Sequence, residues 1–443
     1  MTAPTPSPKP SEPTIVAVPS DTTAQSSRVV TGGISWRKTF AAFRHRNYRL
    51  FFGGQLVSVI GTWMQQVAVG WLVYSLSNSA FTLGAVRFAS AIPVTLLTLV
   101  GGAMADRIEK RRIVIATEST AMVLAFILAS LVWFNVIRVW QIALLAFLEG
   151  ITDAFDIPTR QSFVVDMVGK DDLMNAIALN SSLFNGARVF GPAIAGVLIG
   201  IIGMTGCFFL NGVSYVAVVA AYLAMRMPAA RPQAKRKPIW NETVEAFRYV
   251  RSDRILRAVI SLVTVVSLFG WPYSVLLPVF ARDVLHTGAS GYGYLMAANG
   301  AGALVGALTL ASLGNTPHRR KLFYGGLFGF CIMLGVFAQS HIYWLSATTL
   351  AGSGFFMIIF FATANTSVQT RVPDELRGRV MGIYALAFIG LTPFGSLIAG
   401  SLAHVTSASF TVTVGSIICL IAGLIVMRIM TPRQITALEK AST

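Results

Sequence analysis

Twelve apolar stretches, each long enough to cross a bilayer, set the limits on what this chain can fold into. They lie near 49–76, 81–105, 112–134, 138–165, 172–200 and 203–226, then near 256–281, 289–313, 321–339, 342–369, 376–404 and 407–430. About 20 residues of helix span ~30 Å of hydrocarbon at ~1.5 Å per residue. Lipid offers no hydrogen bonds to a bare backbone, and a helix satisfies its own. An all-α integral membrane protein is therefore expected. Composition agrees, since 54% of the 443 residues are hydrophobic and only 12% are charged. A soluble globule carries about twice that charge.

The formal net charge of +17 would raise the question of nucleic acid on a soluble protein. Its placement answers otherwise. Arg37, Lys38, Arg44, Arg46 and Arg49 precede the first span, and Arg107, Lys110, Arg111 and Arg112 follow the second. Arg231, Lys235, Arg236 and Lys237 follow the sixth; Arg319, Arg320 and Lys321 follow the eighth; Arg371, Arg377 and Arg379 follow the tenth. The alternate loops 77–80, 200–206 and 340–341 carry neither Lys nor Arg. Alternation of this kind is the positive-inside pattern, and it places both termini in the cytoplasm. Residues 1–35, rich in Pro, Ser and Thr, read as a disordered cytoplasmic tail, and 431–443 as a second short tail. Cys207, Cys331 and Cys419 sit inside apolar runs without metal-ligand spacing, so neither metal nor cofactor is expected.

The halves echo each other at an offset of about 204 residues. Trp36, Phe43 and Arg44 recur as Trp240, Phe247 and Arg248; Gly102, Val168 and Gly196 recur as Gly306, Val372 and Gly400. This gives an N-terminal six-helix bundle (36–226), a cytoplasmic linker with an amphipathic helix (227–254) and a C-terminal bundle (255–430). In the linker helix, Val244 and Phe247 are expected to dip into the membrane surface.

Between the second and third spans the chain reads Gly-Ala-Met-Ala-Asp-Arg-Ile-Glu-Lys-Arg-Arg from Gly102 to Arg112. This resembles the signature loop of the major facilitator superfamily. Gly102, Asp106, Arg107, Lys110 and Arg111 stand in motif positions, while Met104 and Glu109 depart from it. A small residue lets helices approach closely, and Asp106 can face the positive N-terminus of a helix from the other half. The loop would thus latch the cytoplasmic side, with Glu118 and Arg160 as nearby partners. The stretches from Pro158 to Gln161, Ala178 to Pro192 and Val372 to Met381 are similar to the drug- and siderophore-exporting branch, which includes enterobactin exporters and macrolide efflux pumps. Gly191, Pro192 and Gly196 loosely match the fifth-helix antiporter motif, and a Gly-Pro step is a candidate hinge. The resemblance implies a major facilitator fold of twelve helices in two pseudo-symmetric bundles, working as a monomer in a bacterial inner membrane.

Charge inside a span costs about 2.5–3.5 kcal/mol or more and so marks function. Glu149, Asp153, Asp156 and Arg160 recur at helical spacing along one face of the fourth span. Arg188, at similar depth on the fifth span, is the expected partner of Glu149, and Asp156 the expected partner of Arg160. Glu149, Asp153, Asp156 and Arg188 are the candidate proton-coupling groups, because burial and neighbouring charge set a carboxyl's proton affinity. The second half offers Trp271, Tyr273, Asn299 and Asn365 instead. With Gln65, Gln66, Arg87 and Asn185 these form a candidate cavity for a bulky amphipathic ligand. The expected activity is export of a drug-like or siderophore-like small molecule in exchange for protons. Lysophospholipid movement by the same fold is the alternative. A membrane enzyme is the remote one, since no nucleophile, metal or cofactor motif appears.

Overall fold

The computed structural model describes residues 40–169, 171–226, 239–314 and 318–429, with only the backbone for 239–243. The expected tails and most of the basic linker lie outside these residues. No strand occurs among them. The helices are α1 (Arg46–Ser77), α2 (Ala80–Ala105), α3 (Lys110–Trp133) and α4 (Val139–Val168). A continuous 52-residue element, Leu173–Ala224, follows. At about 78 Å it is far longer than a bilayer is thick. Gly203 breaks it with φ 70° and ψ 179°, backbone that only glycine adopts without strain. Residues 173–202 are α5 and 204–224 are α6. Then come α7 (Ile239–Ser252), α8 (Arg254–Val284), α9 (Ala289–Leu313), α10 (Arg319–Gln339), α11 (Tyr343–Arg371), α12 (Asp374–Val405) and α13 (Ala408–Ile429).

Ten of these elements, with 173–224 taken as one, are apolar and long enough to cross a membrane. The break at Gly203 adds one crossing. The 30-residue α4 adds the twelfth by length, its intramembrane charges being what lowers its hydropathy. The twelve crossings agree with the sequence reading to within a few residues. Local signals end the helices: Asn78 takes a left-handed φ of 50° after α1, and the Ser79 hydroxyl caps α2 at the Thr82 N–H. Helix α7 does not cross. Its Ala246 and Val250 are buried while Val244 and Phe247 are exposed, as an amphipathic surface helix requires.

Helices α1–α6 pack on one another, and α8–α13 likewise; between the groups, α2 meets α12 and α5 meets α9. Glycines set both crossings. A Cβ on Gly84 would lie 2.5 Å from the Ser396 carbonyl oxygen and 3.1 Å from the Gly400 Cα. One on Gly293 would lie 2.7 Å from the Gly196 Cα. Gly196 and Gly400, which echo each other in sequence, thus hold equivalent places where the bundles touch. The signature-loop glycine behaves differently. Gly102 meets nothing nearer than Pro158 at 3.9 Å, and it is Gly101, against the Ala154 carbonyl of α4, that lets the helices close.

The two ends of the molecule differ. One, the basic end, holds the turns after α2, α4, α9 and α11, together with α7. At the other, the turns 78–79, 134–138, 285–288, 340–342 and 406–407 hold a single Lys or Arg, Arg138.

Candidate functional site

The contacts joining the bundles lie from mid-depth to the sparse end. Trp71 stacks with Tyr292 at 6.5 Å, Phe88 meets Phe394 edge-on at 5.6 Å, and Ser79 reaches the His404 Nδ1 at 3.5 Å. The Tyr74 hydroxyl donates to the Asp283 carboxylate, and the Arg282 guanidinium lies 5.6 Å from the Tyr74 ring centre. Deeper in, the Thr95 hydroxyl donates to the Gly390 carbonyl at 3.3 Å, while inside the second bundle the Ser267 hydroxyl of α8 donates to the Phe388 carbonyl of α12 at 3.0 Å. Those two carbonyls belong to a π-helical turn, Leu386–Gly390, and α8 carries two more, Val266–Gly270 and Phe280–Val284. A π turn shifts the backbone ladder and frees carbonyls for outside donors, and such turns concentrate at functional places.

Among the described residues, ion pairs at the basic end join groups of the same half. Lys110 binds Asp166 at 2.7 Å, Arg371 binds Asp253 at 2.6 Å, and Arg379 binds Glu245 at 3.2 Å. Arg111 donates to the carbonyls of Tyr222 and Leu223 at 2.8 Å each, capping the negative end of α6. Asp106 and Arg107 are exposed, and the Asp106 carboxylate has no hydrogen bond or ion pair among the described residues. Asp172 ties the start of α5 to the segment before α1 through His45 and Arg44, both at 2.7 Å. The His45 hydrogen bond, then the Arg44 charge, holds its carboxyl below the usual range.

Between these ends the helix-four charges divide into two groups. Asp156 pairs with Arg160 at 3.4 Å, as expected, and accepts from the Thr117 hydroxyl at 3.0 Å. The Gln55 amide bridges onward, its Oε1 accepting from Arg160 at 2.7 Å and its Nε2 donating to Glu118 at 3.0 Å and to the Tyr222 hydroxyl at 3.2 Å. This web welds α1, α3, α4 and α6 into one body. Glu118 therefore meets Arg160 through Gln55 inside the first bundle, and Arg107 takes no part.

Glu149 and Asp153 form the second group. The Gln65 amide donates to Glu149 at 3.3 Å while its Oε1 accepts from Asn211 of α6 at 2.8 Å. Arg87 of α2 acts on both carboxylates, and Arg160 acts on Asp153 more strongly still. The expected Glu149–Arg188 pair is absent. Helix α5 lies against α1 through Gly191 and against α9 through Gly196, so Arg188 faces the other bundle. There its Nη2 donates to the Asn299 Oδ1 at 3.2 Å. The Asn299 amide in turn donates to the Tyr273 hydroxyl at 2.7 Å, to the Leu350 carbonyl at 3.1 Å and to the Ser353 hydroxyl at 3.2 Å. Arg87 and Asp153 are solvent-accessible although both sit well inside their spans, and Glu149 is partly so.

The remaining candidates scatter. Trp271 packs edge-on against Phe361 and Phe388, both at 5.6 Å. Asn365 accepts from Gln369 at 2.8 Å, Asn185 donates to the Ser181 carbonyl of its own helix, and Gln66 is half-buried. Backbone through Gly191 and Pro192 is helical. Gln55, Tyr222, Asn211, Tyr74 and Asp283 were not singled out by sequence. The two amides carried a usable signal, since a lone Gln or Asn in an apolar run needs a partner across helices.

The family model for transmembrane secretion effectors matches residues 37–443. The chain belongs to that family, within the major facilitator superfamily. It is 27% identical over 365 residues to the staphyloferrin A transporter of Staphylococcus aureus, covering 81% of this chain and 89% of the relative. It is 23% identical to the enterobactin exporter EntS of Citrobacter koseri, covering 89% and 95%. It is 25% identical to the multidrug efflux pump Tap of Mycolicibacterium fortuitum, covering 87% and 96%. The solved structure of the nucleoside transporter NupG shares the fold, with a TM-score of 0.66 at 14% identity over 87% of this chain and 99% of that one. This chain is accordingly a multi-pass membrane transporter rather than an enzyme.

Proposed function

We propose that this transporter exports an amphipathic small molecule, siderophore-like or drug-like, in exchange for protons, with Glu149 and Asp153 as proton carriers. The observation that carries the reading is their setting: two carboxylates with accessible surface well inside a span, with Arg87 acting on both, in a first bundle whose α2 and α5 meet the second bundle through close-packed glycines. Positive-inside charge makes the basic end cytoplasmic. The bundles then touch on the outer side and part on the inner, an inward-facing arrangement with the Asp106 latch undone. Rocking about the α2–α12 and α5–α9 contacts would open the outer side and bring Asp106 to the second bundle. Protonation outside and release inside follow if that motion changes how closely Arg87 neutralises the two acids. One proton moving through about 100 mV supplies ~2.3 kcal/mol, enough for a concentration ratio of about fifty.

Export is the direction that the names of the enterobactin exporter and the efflux pump Tap support. The ligand would sit below the outer contacts, against the Trp271, Phe361 and Phe388 rings and within reach of Arg188, Asn299 and Tyr273. An aromatic wall beside a few hydrogen-bonding groups suits a bulky, partly polar molecule. The test is uptake into inverted vesicles under an imposed pH gradient, screened over catecholate and carboxylate siderophores and over antibiotics. Gradient-dependent accumulation of one class is expected. Accumulation indifferent to the gradient would refute the exchange.

A further inference from the structure

Arg87 and Arg160 have carboxylates of the first bundle to act on, and Arg188 has none. Among the described residues Arg188 forms no ion pair, and its hydrogen bond goes to the Asn299 Oδ1 at 3.2 Å. The ionisable group facing it is the Tyr273 phenol, an uncharged hydroxyl. Asn299 is held as it stands, because the Leu350 carbonyl can only accept. The amide nitrogen must therefore face α11, and the oxygen faces Arg188. Every enclosed side-chain nitrogen and oxygen among the described residues has a hydrogen-bond partner. With Nη2 committed to Asn299, the Arg188 Nε and Nη1 therefore keep contact with open space.

The cation is not what closes the α5–α9 crossing. In the matching α2–α12 crossing, Thr392 stands as far before Gly400 as Arg188 does before Gly196. Its hydroxyl donates to the Ile389 carbonyl of its own helix at 2.6 Å. That crossing packs on Gly84 and Gly400 with no charge in the corresponding place.

We infer that Arg188 holds a carboxylate of the exported molecule, which is therefore an amphipathic organic acid. The inference rests on the export site proposed above. A guanidinium presents paired N–H donors that match the two oxygens of a carboxylate. Its single charge, with Arg87 and Arg160 already facing acids, balances one negative charge and not the two of a phosphate.

Equilibrium binding to the purified full-length protein, near neutral pH and without a gradient, tests this apart from proton exchange. The probes are fusidic acid, indomethacin and naproxen, each beside its methyl ester. At least one acid should bind about tenfold tighter than its ester, as a charge-assisted hydrogen bond predicts. Arg188→Gln should bring that acid and its ester to equal affinity, whereas loss of a merely structural arginine would weaken both together. Arg188→Lys, which keeps the charge without the fork, should retain an intermediate preference. The inference falls if no acid is preferred to its ester, or if Arg188→Gln keeps the native preference. Should Arg188→Gln not fold, the full native preference in Arg188→Lys overturns it equally. Export that ignores the pH gradient, with the acid preference intact, would refute proton exchange alone.

Discussion

Replacing Gly84 by alanine should push the bundles apart at the sparse end. The added carbon would sit 2.5 Å from the Ser396 carbonyl oxygen and 3.1 Å from the Gly400 Cα. Both are backbone atoms of α12, so no side chain can rotate away, and relief requires the helices to move. Overpacking of this kind costs about 1–3 kcal/mol. The cost falls only on the arrangement in which α2 and α12 touch, so it appears as a shift of about 5- to 150-fold toward the alternative arrangement. Spin labels at Asn78 and Thr406, in turns of opposite bundles at that end, would report the change by pulsed dipolar spectroscopy in nanodiscs. The three native cysteines are buried and offer little competing reactivity. Gly84→Ala should enlarge the long-distance population, and Gly102→Ala, whose new carbon meets nothing nearer than 3.9 Å, should leave it unchanged. Identical distributions for Gly84→Ala and the native protein would show that this contact does not set the closure.

Three further outcomes follow from the same geometry. Asp283→Asn removes the charge from the Tyr74 hydrogen bond across the bundles, and such bonds are worth about 1.5–3 kcal/mol, so it should also favour long distances in the spin-label measurement. Arg160→Gln leaves Asp156 and Glu118 without their cation inside the first bundle. A loss of about 3–5 kcal/mol is expected, read as a lower melting temperature in detergent, and unchanged melting would mean the web is not structural. The depressed carboxyl of Asp172 gives a stabilisation present above the ordinary aspartate range, near pH ~3.9, and lost as pH falls below it. Asp172→Asn should therefore lower the melting temperature at neutral pH but not in strong acid. An equal effect at both would contradict the assignment.

The twelve crossings and the paired halves were legible because lipid penalises every unsatisfied backbone group, which leaves long apolar runs in plain view. The Asp156–Arg160 pair was legible for a local reason, four residues being one turn of helix. Pairings between helices were not. Depth along the membrane can be counted from a span's end, and it put Arg188 level with Glu149, but rotation about the helix axis cannot be counted so easily. The Gly191 and Gly196 contacts fix that rotation and turn Arg188 toward Asn299, leaving Arg87 to act on Glu149 and, with Arg160, on Asp153. Gln55 was hidden by its apolar neighbours, although a buried amide in such a run already implies a partner.

The most direct test of proton exchange is the proton flux itself. In proteoliposomes carrying an interior pH-sensitive dye, an outward substrate gradient should drive proton entry through the native protein and through Gln66→Ala. Glu149→Gln and Asp153→Asn should abolish that entry while still permitting substrate to exchange for substrate. Proton entry at the native rate in both acid variants would contradict the assignment.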